Sequence, residues 1–205
     1  LCISITHIMK IFYFDLETTG TNPGKHGIHQ ISGMIEIDGK VMEEFDFHVQ
    51  PNPRAIIEDA ALAVGGVTKE QIMSYPEMGV VYNQLVTMLS KYVDKYDKND
   101  KFFLCGYNNA AFDNQFLRGF FLQNGDMYFG SWFWSNSIDV MVLATVYLLE
   151  KRTRMENFKL STVAATVGID VKTDDLHNAI YDIYLTRGIY LKIQHDMLSS
   201  LPGNN

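Results

Sequence analysis

The chain contains few of the residues that are typical of secreted proteins or of proteins stabilised by structural zinc. Among its 205 residues are 2 cysteines and 5 prolines. Cys2 and Cys105 do not have the spacing of a zinc-ligand pair, and one pair of cysteines makes no disulfide framework. A chain of this length buries roughly 70% of its unfolded surface and needs no such staple. We therefore expect a reducing compartment, the cytoplasm.

Long apolar runs are also missing. No run approaches the ~18 residues that span a membrane, so we expect no membrane partner. Residues 1–8 lack the charged segment and cleavage site of a signal peptide. Because Met9 precedes the first predicted strand, we expect the native start there and a non-native or disordered extension over 1–8. Residues 9–197 then form one domain, since no repeat or linker interrupts them.

Basic residues are the minority among the charged ones. The 17 Lys and Arg residues stand against 24 Asp and Glu residues, which gives a formal net charge of −7. A protein that coats DNA carries a basic face and a high isoelectric point, so this composition disfavours that class. It leaves open an enzyme that acts on nucleic acid, because catalytic carboxylates add to the acid count.

Hydrophobic patterning predicts a mixed α/β fold. Asp38-Gly39 between two β-prone runs indicates a hairpin. The apolar stripe of the helix that begins at Pro76 is expected to continue to Tyr92 and Tyr96. The predicted strands are 10–15, 28–37, 40–50 and 101–107, and the predicted helices are 58–63, 69–73, one from Pro76, 111–123, 138–150, 160–167 and 177–196. Early antiparallel strands followed by strand–helix alternation favour a mixed sheet.

Two carboxylates stand at the end of the first predicted strand, in Asp15-Leu-Glu-Thr-Thr-Gly20. Strand side chains alternate between faces, so Asp15 and Glu17 point the same way. Neighbouring carboxylates repel each other unless a cation neutralises them, and hard oxygen ligands suit Mg²⁺ or Mn²⁺. By itself the pair fits a metal site and a solvated strand end equally well.

Three more residues could belong to the same site. Asp113 stands at the start of a predicted helix, where the helix dipole favours an anion. His177 and Asp182 lie five positions apart on the last predicted helix, about 140° apart around its axis, so they can flank one site. Taken singly, each of these residues fits an ordinary first-turn or surface position better than a site.

The order of these pieces along the chain is more specific than any one of them. Asp-x-Glu on the first strand, Asn-x-x-Phe-Asp at a helix start and His-x-x-x-x-Asp near the end resemble the DnaQ-like, or DEDDh, 3′–5′ exonuclease family over residues 10–190. Segments 61–68, 137–140 and 159–169 add to the resemblance. It implies an RNase H-like fold: an antiparallel hairpin plus parallel strands in one sheet, flanked by helices.

The resemblance also implies a two-metal mechanism and a set of residues that carry it. Two divalent ions, Mg²⁺ or Mn²⁺, would activate water to release 5′-mononucleotides from a 3′ end, with His177 as the general base. The implied metal ligands are Asp15, Glu17, Asp113 and Asp182, and the implied substrate contacts are Leu16, Thr18, Asn109 and Phe112.

Two positions depart from the family pattern. Gly65 and Asn108 stand where many relatives carry histidine. We expect neither to touch the metal set. The departures leave open how the 3′ nucleotide is held and which sugar is preferred.

Several readings of the substrate stay open. DNA, single-stranded or frayed, is the leading reading, and RNA or short oligoribonucleotides are the runner-up. Recognition of the 2′-hydroxyl would decide between them, and no residue reads it unambiguously. A polymerase proofreading subunit is a further option, whereas a non-catalytic binding domain is disfavoured because all five site residues are present. The expected partner is a nucleic-acid 3′ end. Protein partners stay unknown and the oligomeric state stays open, a homodimer included.

Two other features have competing interpretations. Trp132 and Trp134 could stack on bases, but rings in such a stretch more often cover a sheet edge. A basic cluster before the last helix fits a phosphate-binding track and a solvated loop equally well. It consists of Lys151, Arg152, Arg154 and Lys159.

Overall fold

The computed structural model describes residues 8–172 and 179–200, and its centre is a five-stranded sheet with the strand order β3-β2-β1-β4-β5. β1 pairs antiparallel with β2, which pairs antiparallel with β3, while β4 runs parallel to β1 and to β5. The predicted mixed sheet is therefore confirmed. The strands are β1 (Lys10–Thr18), β2 (Ile28–Ile37), β3 (Lys40–His48), β4 (Phe103–Gly106) and β5 (Ile138–Asp139).

Helices cover both faces of the sheet. Within the described residues, none of them is both long and apolar enough to cross a bilayer. The helices are α1 (Asp59–Gly65), α2 (Lys69–Met73), α3 (Met78–Leu89), α4 (Asp113–Gln123), α5 (Phe129–Trp132), α6 (Val140–Tyr147), α7 (Leu160–Thr166) and α8 (Ala179–Ser199), with a 3₁₀ turn at Arg152–Arg154.

The alternation of β1 sorts its side chains between two cores. Phe12 and Phe14 join the core under α3 and α4, where the Phe12 ring lies 5.2 Å from that of Phe45. Ile11 and Tyr13 join the core under α6, α7 and α8. Because side chains two residues apart share a face, the residues that follow Tyr13 at odd positions lie on the α8 side. This places the carboxylates at the end of β1 beneath α8.

The helix that begins near Pro76 is shorter than predicted. α3 ends at Leu89, so Tyr92 and Tyr96 lie beyond it, and Tyr96 is 87% exposed. The physical reason lies in the acid-rich segment that follows. There the Asp94 carboxylate accepts the Tyr96 N–H and the Asp97 carboxylate accepts the Asn99 N–H. These local side-chain bonds compete with helical backbone bonds.

The predicted helix 138–150 was wrong at both ends. Ile138–Asp139 forms the fifth strand, and α6 begins at Val140 and ends at Tyr147. The Asp139 side chain accepts backbone N–H groups at the start of α6, as an N-cap residue does. The helix predicted from 111 begins at Asp113. The final helix is described from Ala179 onward, since 177 and 178 lie outside the described residues.

Trp132 belongs to the core and offers no face to a base. It ends the short helix α5 in a stretch that the sequence pattern left irregular, and it is 2% exposed. The Trp134 ring lies 6.0 Å from the Phe103 ring of β4. The structural interpretation of Trp132, that its ring covers the sheet rather than stacking on bases, is therefore confirmed.

A buried ion pair fastens α8 to the sheet. The Arg187 Nε donates to Glu36 Oε2 at 2.6 Å, and a second guanidinium nitrogen reaches the Gly39 carbonyl oxygen. Glu36 is only 1% exposed, whereas Arg187 keeps partial access to solvent. Because a buried charge without its partner is strongly unfavourable, the pair fixes where α8 can sit.

Replacing Arg187 with Met is expected to lower the free energy of unfolding by about 3 kcal/mol, because the Glu36 carboxylate would stay buried without a cation. Urea denaturation measures this loss. The matched control is Lys192→Met on the same helix, which removes a solvent-exposed pair with Asp196 and is expected to leave the stability nearly unchanged. Equal losses in the two variants would contradict an anchoring role for Arg187.

Candidate active site

Asp15 is the centre of a group of four carboxylates. It lies near the end of β1, and although part of its side chain is exposed, the surrounding protein raises its pKa well above the usual range. The largest cause is the loss of hydration, and the charges of Asp113, Glu17 and Asp182 follow in that order. The structure thus brings together the four acids that the sequence analysis singled out.

Asp113 reaches this group from the start of α4. Its side chain is buried, and its carboxylate accepts the backbone N–H of Leu16 as well as its own. Burial raises the pKa of Asp113 to about 7, these two hydrogen bonds oppose the rise, and the charges of Glu17 and Asp139 add to it. The bond from Leu16 ties the beginning of α4 to β1.

Asp182 comes from the first turn of α8, so a third element of the fold completes the group. Its charge contributes to the raised pKa of Asp15. Since Arg187 fastens the same helix to β2, the position of Asp182 depends on that anchor. His177, the predicted general base, lies outside the described residues.

Asp139 organises the loop that leads into α4, a role the sequence analysis did not assign. Its buried carboxylate accepts the backbone N–H groups of Asn108 at 3.1 Å and Ala110 at 3.2 Å. It also accepts the Met141 N–H at the start of α6. The Asp139 side chain therefore holds both the loop between β4 and α4 and the start of α6, beside Asp113. The available signal was the Ser-Ile-Asp-Val motif before a helix.

The predicted substrate residues differ in access. Leu16 is buried in the core, and the Thr18 hydroxyl donates to the Gly20 carbonyl oxygen at 2.9 Å. Asn109 is fully buried and its amide donates to Asn114 Oδ1 at 3.1 Å, so its side chain must move before it can touch a nucleotide. The Phe112 ring lies 4.9 Å from the Phe116 ring.

Gly65 is the last residue of α1 and faces Glu17. A Cβ placed on it would lie 3.8 Å from Glu17 Oε2, so a side chain at this position would reach the acids. Because glycine has no Cβ, the expectation that this departure does not touch the metal set stays a prediction. Asn108, the other departure, adopts a φ of 62° and its N–H is held by Asp139.

The four acids offer carboxylate oxygens as ligands. Such ligands suit hard divalent cations, and a cation would remove the repulsion that raises the pKa of Asp15. Within residues 8–172 and 179–200, no group of three or more His, Cys, Asp or Glu side chains is already arranged so that it could hold a metal ion. The residues present fit divalent ions by their chemistry and their mutual charge effects.

Comparison with known proteins shows where this arrangement belongs. The family model described as exonuclease matches residues 12–190. Ribonuclease T from Baumannia cicadellinicola is 23% identical over 87% of this chain and 80% of its own length. The PolC-type DNA polymerase III of Mycoplasmopsis pulmonis is 24% identical over 87% of this chain, which spans 11% of that polymerase.

Solved structures agree on the fold. Escherichia coli exonuclease I in complex with single-stranded DNA and zinc superposes with a TM-score of 0.72 and 19% identity over 92% of this chain. The chain spans 41% of that protein. The likeness shows the RNase H-like fold. Together with the match over residues 12–190, it means that the chain belongs to the DnaQ-like exonuclease family.

Proposed function

We propose that the chain is a metal-dependent 3′–5′ exonuclease of the DEDDh type, which removes 5′-mononucleotides from the 3′ end of single-stranded or frayed DNA. The observation that carries this proposal is the convergence of three acids on Asp15, whose pKa is raised by burial and by the charges of Asp113, Glu17 and Asp182. Carboxylates from β1, α4 and α8 do not converge in this way for stability, because each raises the free energy of ionising the next. Their convergence supports a site that binds cations.

The four acids would hold the metal ions. Asp15, Glu17 and Asp182 would bind one divalent ion, and Asp15 with the scissile phosphate would bind a second, with Asp113 acting through water or the second ion. When bound, Mg²⁺ or Mn²⁺ supplies an activated water and stabilises the charge on the attacking and leaving oxygens. The ring nitrogen of His177 would accept the proton of that water, since an imidazole titrates near neutral pH.

Single-stranded DNA is the proposed substrate. Exonuclease I, which shares the fold, is complexed with oligonucleotides of this kind in its solved structures. The charge of the chain supports a limited contact with the strand. Two divalent ions would bring the formal net charge from −7 to −3, since −7 + 4 = −3, so the chain stays net acidic and its net charge does not favour the body of a polymer.

RNA is the second candidate substrate. It is favoured by the relative named ribonuclease T, because the chain spans 80% of that protein. A proofreading role is a further candidate, since the epsilon-like DNA polymerase III subunit of Rhodobacter capsulatus is 25% identical over 88% of this chain. The chain spans 23% of that protein.

A degradation time course separates these candidates. Single-stranded DNA, duplex DNA and RNA, each labelled at the 3′ or the 5′ end, are incubated with Mg²⁺. The proposed function predicts immediate release of a labelled mononucleotide from 3′-labelled single-stranded DNA and a ladder from the 5′-labelled strand. Faster turnover of RNA would assign the second candidate, and internal cleavage would contradict an exonuclease.

Replacing Asp15 with Asn is expected to reduce turnover by about 10³-fold or more, the scale of losing a main electrostatic stabiliser. EDTA is expected to abolish the wild-type activity, and Mg²⁺ or Mn²⁺ to restore it. The control is Asp97→Asn, at an exposed position in the loop before β4, which begins beside the start of β1 and not beside its end. Activity that survives chelation would rule out metal-dependent hydrolysis.

Replacing Asp113 with Asn is expected to stabilise the metal-free protein at pH 8. Its raised pKa means that the folded state holds a proton that the unfolded state has lost, so this carboxylate destabilises the fold as pH rises from about 4 to about 7. Thermal melts in EDTA should show a gain of a few degrees, since about 1 kcal/mol corresponds to about 2–4 °C. The gain should disappear near pH 4, and a loss of stability at pH 8 would refute the reasoning.

Replacing His177 with Ala is expected to lower kcat by about 10²–10⁴-fold and to leave KM nearly unchanged, because a general base acts only in the chemical step. Steady-state kinetics on labelled single-stranded DNA measure both constants. His195→Ala is the matched control, since His195 is an exposed histidine near the other end of α8. A parallel loss in affinity would make His177 a binding group.

A further inference from the structure

A small recess lies between the loop that follows β1 and the loop that precedes α1. Lys25, His26, Asn52 and Arg54 line it, and Gln123 from the end of α4 closes one side. Its volume is about 200 Å³, below the roughly 300–1,000 Å³ of sites that enclose a whole small molecule. The recess therefore suits a single compact group.

Hydrogen bonds join the two loops to each other and to the end of β1. The Thr19 hydroxyl donates to the Ile56 carbonyl oxygen at 2.6 Å, and the Ile56 N–H donates to the Lys25 carbonyl oxygen at 2.8 Å. The Glu58 N–H donates to the Thr19 carbonyl oxygen at 2.9 Å. Since Thr18 pairs with Ile28, the first loop lies at the sheet edge where the four acids converge. The loops of the recess are thus tied to the end of β1, and Gln123 places the recess at the far end of α4, about 15 Å along the helix axis from Asp113.

The recess presents positive charge without matching acceptors. Neither Lys25 nor Arg54 forms an ion pair with a carboxylate of residues 8–172 or 179–200. The acceptor oxygen of Asn52 is engaged by the Arg54 N–H at 2.9 Å. The nearby Glu58 carboxylate contacts His26 Nε2 at 3.1 Å. Two uncompensated cations that share one recess favour an anion.

We propose that this recess binds a backbone phosphate of the substrate strand, with Lys25 and Arg54 as the phosphate contacts. The inference rests on the proposed nuclease function and adds a contact outside the four acids. A free phosphate ion shares the same chemistry. The strand is the source we assign, because the loops of the recess adjoin the end of β1, where the four acids would hold the strand's 3′ end.

The test compares three variants with the wild type in Mg²⁺: Lys25→Ala with Arg54→Ala, the charge-conserving Lys25→Arg with Arg54→Lys, and the control Lys40→Ala with Lys98→Ala. The control removes the same charge from exposed lysines outside the recess. The readout is kcat/KM on a single-stranded oligonucleotide at several salt concentrations, divided by kcat/KM on a p-nitrophenyl ester of thymidine 5′-monophosphate, which has no second phosphate.

We expect the alanine pair at the recess to lower this ratio about tenfold at low salt, equivalent to about 1.4 kcal/mol, and to reduce the salt slope by about 0.7, the value for one phosphate of a single strand. The charge-conserving pair and the control should keep the wild-type ratio. An unchanged ratio in the alanine pair would overturn the proposal. A second measurement records thermal melts of each variant with and without inorganic phosphate. If the alanine pair loses stabilisation by phosphate but keeps the wild-type ratio, the proposal is also overturned, because the ligand would then be free phosphate. A wild type inactive on both substrates would overturn the proposed function itself.

Discussion

The mutual repulsion of four carboxylates around Asp15 is the constraint on which the rest of the structure depends. Burial and three neighbouring charges raise the pKa of Asp15, so the group opposes its own assembly in the absence of cations. Stability has to come from elsewhere in the fold. The aromatic core around Phe12 supplies it, while the buried pair between Arg187 and Glu36 fixes the position of α8. A site of this kind trades stability for the ability to hold cations.

Each element that carries an acid is held by its own contact. α4 is tied to β1 because the Leu16 N–H donates to the Asp113 carboxylate. The loop before α4 is held by Asp139, which accepts the N–H groups of Asn108 and Ala110. α8 is held by the ion pair between Arg187 and Glu36, five residues beyond Asp182 in sequence. Rigid support of this type is what a site needs if its ligands are to stay in place through turnover.

The sequence predicted those features that depend on local pattern. Strand alternation placed Asp15 and Glu17 on one face, and Asp38-Gly39 marked the hairpin correctly. Features that depend on tertiary contacts escaped it. β5 is two residues long and has no periodicity to detect. The closeness of Gly65 to Glu17 arises where α1 folds back over β1, and the role of Asp139 depends on backbone N–H groups about 30 residues away in sequence.

Calorimetric titration of Mn²⁺ into the metal-free protein tests the central claim most directly. Because the pKa values of Asp15 and Asp113 are raised, metal binding near neutral pH has to displace protons from the site. Titrations in two buffers with different ionisation enthalpies should therefore give different apparent binding enthalpies, and Asp15→Asn should abolish binding. Absence of binding, or equal binding by wild type and Asp15→Asn, would contradict a site built from these four acids.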